Sequence, residues 1–234
     1  METKTIEGLV IRTIHFNESS EIVHLLTSYG VISVMCKGAR KYKSHKLAFC
    51  IPLTRVKAII SDSKIPSLVD YTIIDSFDYV KEDLKSNLWF GYLLEIINKL
   101  PDNIYYKNIY NLLIKALELA RIYKAMDLVL VVQTKLLKVF GVEPEFKKCV
   151  VCGNPETKFF SISSGGFLCM NHKTKDSEEI NKYIELKRVY YFDLYNDDFS
   201  KLNDIDFVEL FRTITSYYQY HIEINLHSLS SLII

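Results

Sequence analysis

Two periodicities divide the chain. Up to about residue 77, apolar residues tend to alternate in twos, the spacing that puts every second side chain on one face of a strand. This pattern predicts strands over 5–14, 21–27, 31–36, 49–60 and 68–74. In the third, Ile32, Val34 and Cys36 share one face, which makes Cys36 a small apolar core residue. The polar turn Asn17-Glu18-Ser19-Ser20 and the pair Tyr29-Gly30 separate the first three strands. Five short strands with turn signals between them predict a small β domain, an OB-type β-barrel over residues 1–78.

Beyond residue 78 the spacing becomes helical. Leu84, Leu88, Leu93, Ile96 and Ile97 form one stripe, thickened by Trp89 and Tyr92 and stopped near Pro101. A second helix is expected over 104–123, with Leu112, Leu113, Ala116, Leu117 and Ala120 in register. A third spans about 126–140, with Gly141 as its cap and Pro144 just after. Residues 176–195 fit helix or strand and are read as helix. Residues 206–224 place Phe207, Leu210, Phe211, Ile214, Tyr217 and Tyr218 on one face. The expected class is therefore α+β, with a helical domain over 79–234. These stripes are read as core, not as cofactor pockets.

Composition narrows this only slightly. The 234 residues are 49% hydrophobic, enough for a sizeable core and too many for a disordered chain. The first residues form no apolar signal segment, and the aliphatic run 128–132 is far too short to span a bilayer. A cytoplasmic protein with no membrane partner is expected. Five cysteines in that compartment do not suggest a disulfide framework.

The net charge of +1 hides a strong asymmetry. Between Glu21 and Asp62 there is no acid, while Lys37, Arg40, Lys41, Lys43, Lys46, Arg55 and Lys57 give that interval +7. From Asp176 to Glu209 the sign reverses, with ten acids against four Lys and Arg. Lys37, Arg40, Lys41, Lys43 and Lys46 fall on one loop, where Gly38 permits a tight backbone path. Such a loop suits phosphates, and Arg12 on the first strand can join it. Tyr42 and Phe16 are placed to stack on exposed bases. Nothing there reads base edges, so little sequence specificity is expected. The plainer alternative is a solvated loop whose lysines serve solubility.

Cys149-Val150-Val151-Cys152 and Cys169-Met170-Asn171-His172 are two knuckles sixteen residues apart. Each brings two soft donors to one point, and four such donors satisfy tetrahedral zinc. Buried thiols beside an unrelated histidine are the bland alternative. With all four positions supplied by the chain, the zinc would be structural, forming a zinc finger over 149–172.

These motifs resemble, in order, the bacterial RecO family of recombination mediators. The match runs through Glu7-Gly8-Leu9-Val10-Ile11-Arg12, the stretch 17–27, Lys37-Gly38-Ala39-Arg40 with Lys43-Ser44, and Phe140-Gly141-Val142-Glu143-Pro144 leading to Cys149 and Cys152. Gly165-Gly166 before Cys169 also fits. His172 departs from the pattern, standing where a fourth Cys is usual. The resemblance implies an OB domain followed by a helical domain with the finger. It further implies binding of single- and double-stranded DNA and annealing of complementary strands. Action with RecR, and in some systems RecF, would help load RecA onto DNA coated by single-strand-binding protein, whose acidic C-terminal tail is an expected partner. Such a protein would associate with the nucleoid.

Two other functions are weighed beside a DNA-binding mediator that is not an enzyme. A zinc hydrolase or deaminase needs an open coordination position and a nearby acid–base residue, and the deaminase order of His-x-Glu before Cys-x-x-Cys is missing. A zinc-braced adaptor would use the basic loop for an acidic peptide, with Trp89, Tyr92, Tyr217 and Tyr218 offering an apolar groove.

Overall fold

The computed structural model describes residues 2–101 and 105–232. Strands β1 (Thr3–Phe16), β2 (Ser20–Thr27), β3 (Gly30–Cys36), β4 (Arg55–Ser61) and β5 (Leu68–Asp75) form one antiparallel sheet in the order β3–β2–β1–β4–β5. β1 is long enough to serve two partners. Its first half pairs with β4 and its second half with β2, and a bulge between Val10 and Arg12 separates the two. At that bulge Leu9, Val10 and Ile11 are buried in succession, which strict alternation forbids. Val10, Val23, Leu25, Val34, Cys36, Val56 and Ile60 belong to one buried cluster, so Cys36 is core as expected.

The sheet does not close as the expected barrel. β3 meets the lead-in to β5 at a single parallel bridge, Met35–Ser67, where the Met35 N–H donates to the Pro66 carbonyl at 2.8 Å. Pro66 has no N–H to return, so a ladder cannot continue through it. Beyond the bridge Val69, Ile73 and Ile74 of β5 are exposed.

The fourth strand is also shorter than expected. Residues 45–50 form a 3-10 turn instead, capped by the Ser44 hydroxyl, which accepts from the Lys46 N–H. Pro52 then lacks a ladder donor and Leu53 takes φ 60°, so extended structure begins only at Arg55. Phe49 and Cys50 are buried as strand residues would be, which is why the pattern misleads.

Helices α1 (Asp78–Lys81), α2 (Leu84–Ile97) and α3 (Tyr106–Leu119) follow. The second helix was expected from residue 104, which lies outside the described residues. Tyr110 on α3 donates its hydroxyl to Glu7 Oε1 of β1 at 2.9 Å, and Arg55 donates to the same carboxylate from β4. Burial, reinforced by the Glu7 hydrogen bond, pushes the Tyr110 hydroxyl up to about 12. The five strands and α1–α3 make one compact unit.

The other unit holds residues 99–101 and everything from Tyr123 onward. Helix α4 (Ala125–Val139) is apolar almost all round, with Leu128 to Val132 fully buried. It packs against α5 (Ile184–Tyr191) and α6 (Phe207–Ile222), and the Tyr218 hydroxyl donates to the Gln133 carbonyl at 2.8 Å. A small sheet of β6 (Phe159–Ser161), β7 (Gly166–Leu168) and β8 (Glu178–Glu179) completes it in the order β7–β6–β8. The helix expected over 176–195 is thus confined to α5. Glu178 and Glu179 pair with β6 instead, a long-range choice that local spacing cannot reveal. Among the described residues no helix is long and apolar enough to cross a membrane.

Candidate nucleic-acid interface and candidate metal centre

The cationic loop leaves β3 at Cys36, and two backbone contacts pin it to the β1–β2 turn. The Arg40 N–H donates to the Ser19 carbonyl at 3.0 Å, and the Gly38 N–H approaches Ser20 Oγ at 3.5 Å. Gly38 has φ +73°, the left-handed region that explains glycine there. Lys37, Arg40, Lys41 and Lys43 are exposed. Lys46 is half-buried, its Nζ donating to the Lys37 carbonyl at 3.3 Å. Lys43 lies over the Tyr42 ring, 5.4 Å from its centre, and Tyr42 itself is 91% exposed.

Acids are kept away from the loop lysines. Glu21 is buried, its carboxylate 2.8 Å from His15 Nδ1 and 3.8 Å from Arg40 Nε. Among the described residues Lys37, Lys41, Lys43 and Lys46 have no acidic partner within 4.0 Å, whereas Lys4, Arg55, Arg188 and Lys201 are all paired. Arg12 stands apart from the loop. It lies on β1 opposite His24, where burial, and next the Arg12 charge, hold the His24 imidazole below its ordinary value.

A hollow of about 400 Å³ lies where turn and loop meet. Phe16, Asn17, Ser19, Ser20, Lys37 and Lys41 are among the residues that line it. Asn17, Ser19 and Ser20 were legible in the sequence only as a turn. Their place in a cavity depends on the pairing of β1, β2 and β3.

In the helical unit the four expected ligands converge. One donor atom from each of Cys149, Cys152, Cys169 and His172 lies within 4.8 Å of all the others. The Cys152–Cys169 sulfurs are 3.8 Å apart, and His172 Nδ1 is 3.7 Å from Cys149 Sγ and 3.3 Å from Cys169 Sγ. Metal–sulfur bonds of about 2.3 Å in a tetrahedron give sulfur–sulfur edges of about 3.8 Å, so the donor set fits one small cation. Burial pushes the Cys149 thiol up, but backbone N–H groups of Cys169, Cys152 and Val151 outweigh it and pull the thiol down to about 6. That favours the thiolate a metal needs. The knuckles close through the Gly153 N–H to the Cys149 carbonyl and the His172 N–H to the Cys169 carbonyl.

The aromatics next to these ligands divide their work. Phe159 packs with Cys149, Cys169 and Leu168. Phe160 and Phe167 turn the other way, onto Phe146, and Phe160 stacks on Tyr183 at 4.2 Å. His221 of α6 reaches the Ile162 carbonyl at 2.6 Å. The Cys3His group is therefore tied to the helical core and not carried on a free loop.

Fold and sites define a two-part α+β protein that joins a cationic β domain to a helical domain bearing a metal-type Cys3His group. The family description "Recombination protein O N terminal" matches residues 1–77, and "Recombination protein O C terminal" matches residues 81–230. The chain belongs to the recombination protein O family, which places it in DNA repair and recombination. It is similar to the DNA repair protein RecO of Exiguobacterium sibiricum, 32% identical over 86% of this chain and 82% of that one. The RecO of Bacillus pumilus is also 32% identical, over 86% and 80%, and that of Bacillus mycoides 29% over 91% and 90%. Among solved structures, an aspartyl tRNA synthetase from Entamoeba histolytica overlays with a TM-score of 0.24 and 8% identity over 93% of this chain and 55% of that one, too remote to carry an argument.

Proposed function

We propose that the protein is a recombination mediator that binds single- and double-stranded DNA through its cationic loop and anneals complementary strands. Lys37, Arg40, Lys41, Lys43 and Lys46 neutralise phosphates of two strands and lower their mutual repulsion, and Arg12 on β1 adds a cation away from the loop. No bond is made or broken by the protein, which is not an enzyme. The observation that carries this reading is the clustering of Lys37, Arg40, Lys41 and Lys43, all exposed, on one loop in a stretch without acids between Glu21 and Asp62. In this reading residues 1–78 hold DNA, and residues 79–234 hold partner proteins. The partners are RecR, in some systems RecF, and the acidic tail of single-strand-binding protein, so that RecA is loaded onto coated single strands in the cytoplasm.

The metal is zinc, held by Cys149, Cys152, Cys169 and His172 in a closed, structural role. Bound there, it would supply cross-linking and no Lewis-acid chemistry, because the chain fills every position. A strand-annealing assay tests the whole reading, comparing wild type with Arg40→Ala/Lys41→Ala/Lys43→Ala and measuring metal content on the same samples. Equal annealing by the two proteins would sink it.

One feature favours a second reading, an adaptor for an acidic peptide, although not at the groove expected from Trp89, Tyr92, Tyr217 and Tyr218, which are all buried in the core. Phe167, Ile180, Ile184 and Tyr191 line an apolar hollow of about 450 Å³ together with Lys187 and with Arg188, which is paired with Asp204. Apolar anchors beside cations suit a peptide carrying both acids and an apolar end. Binding of that tail peptide, measured separately from binding of a plain oligonucleotide, separates the two readings.

A further inference from the structure

The hollow between the β1–β2 turn and the cationic loop combines three features. Phe16 ends β1 with 40% of its surface exposed and is one of the residues lining the hollow. Lys37 and Lys41 line the same hollow and, among the described residues, have no acidic partner. The hydroxyls of Ser19 and Ser20 and the amide of Asn17 add neutral donors. The hydrogen bonds of Arg40 and Gly38 to this turn fix the loop against it, so the cavity is built before any ligand arrives. Two acids belong to the turn. Glu18 is exposed at its tip, and Glu21 is buried onto His15 and Arg40.

We propose that this hollow is a single-strand-selective subsite, taking one unstacked nucleotide with its base against Phe16 and its phosphate between Lys37 and Lys41. The proposal rests on the DNA-binding reading above and deepens it. The selectivity comes from stacking. Within a duplex both faces of every base are covered by neighbours, so an aromatic ring at a wall has nothing to stack on. An unpaired strand can offer a bare face, and every base has one, so no sequence preference arises. The lysines act on either form of DNA, because phosphates are exposed in both. Phe16 thus separates two properties that the cations leave joined.

The test uses the full chain, with fluorescence anisotropy on an oligothymidylate and on a blunt duplex of equal length. Phe16→Ala is expected to weaken single-strand binding about 5- to 150-fold, the loss of one aromatic–base stack, and to change duplex binding by no more than about twofold. Phe16→Trp should keep both. Equal losses on the two substrates, or an unchanged single-strand affinity, would overturn the subsite while leaving DNA binding in place. Failure of the wild type to bind either substrate would instead overturn the underlying reading. A second measurement needs no variant. Wild type irradiated with an oligonucleotide carrying 5-iodouridine should form its adduct on Phe16, within tryptic peptide 13–37. Adducts confined to other peptides would also overturn the proposal.

Discussion

Gly166 lies directly against the backbone of Glu145. A Cβ on Gly166 would stand 2.6 Å from the Glu145 carbonyl oxygen and 2.8 Å from its nitrogen, closer than real carbon atoms approach. The contact is cemented on both sides, by the Glu145 N–H to the Gly165 carbonyl at 3.0 Å and the Phe167 N–H to the Glu145 carbonyl at 2.9 Å. It joins the segment that approaches Cys149 to the hairpin that delivers Cys169. Gly166→Ala must push two backbones apart, so it should cost about 3 kcal/mol, at the severe end for one methyl group. Chemical denaturation of the two proteins checks this. A loss within about 0.5 kcal/mol, typical of an indifferent surface change, would show that the contact relaxes freely.

Lys135 of α4 predicts an unusual pH response. Burial pushes its ammonium down to about 8, partly offset by Asp193 and Asp197. Among the described residues its ammonium donates to the Tyr190 carbonyl. Between about pH 8 and 10.5 the unfolded chain holds this proton and the folded chain has released it, so this group adds stability as pH rises across that window. Below it, the folded protein carries the cost of a buried charge. Lys135→Met should therefore stabilise the protein at pH 7 by about 1 kcal/mol, after allowing for the lost hydrogen bond. The advantage should shrink toward pH 10. Denaturant midpoints of both proteins across that range would show it, and an advantage that grows with pH would refute it.

What the sequence disclosed follows from how local each signal is. The knuckles 149–152 and 169–172 were legible because the ligand spacing is itself the geometry. Helices α4 and α6 were legible within a residue or two because their buried faces repeat at helical spacing, and α2 was legible as a stripe although it ends at Ile97, short of the stop expected near Pro101. Residues 45–50 were not, because Phe49 and Cys50 are buried from a 3-10 turn and Leu53 reverses its φ. Nor was β8, since Glu178 and Glu179 gain their strand character only from β6. The open edge of the sheet likewise depends on where Pro66 falls opposite Met35. The hollow at Phe16 needed the register of three strands before turn and loop residues could be seen to share a wall.

The cationic loop makes a prediction that salt can read. Arg40→Ala/Lys41→Ala/Lys43→Ala removes three exposed cations, only one of which approaches an acid. If each meets a phosphate, the slope of log affinity against log salt on single strands should fall by about 2. The fold should be untouched, since none of the three side chains is buried. Filter binding at several salt concentrations measures the slope, and an unchanged slope would remove these residues from the interface.

Removing the metal should loosen one unit and spare the other. The Cys3His group holds the hairpin of β6 and β7 to the segment after α4, and the aromatic contacts of Phe146 with Phe160, Phe167 and Tyr190 extend from it into the helical core. A closed zinc site can supply on the order of 10 kcal/mol in small modules. Here the aromatic cluster shares the task, so the expected loss is partial. Chelation, or His172→Ala, should raise hydrogen exchange across 145–191. Exchange in β1 to β5 should stay as it was, since that sheet has its own buried core. DNA binding and its salt slope should survive, because the loop is held within the β-sheet unit, by the β1–β2 turn and by the Tyr71 hydroxyl of β5, which donates to the His45 carbonyl. Loss of DNA binding on chelation, with exchange unchanged in the helical unit, would contradict this division and make the Cys3His group part of the DNA interface.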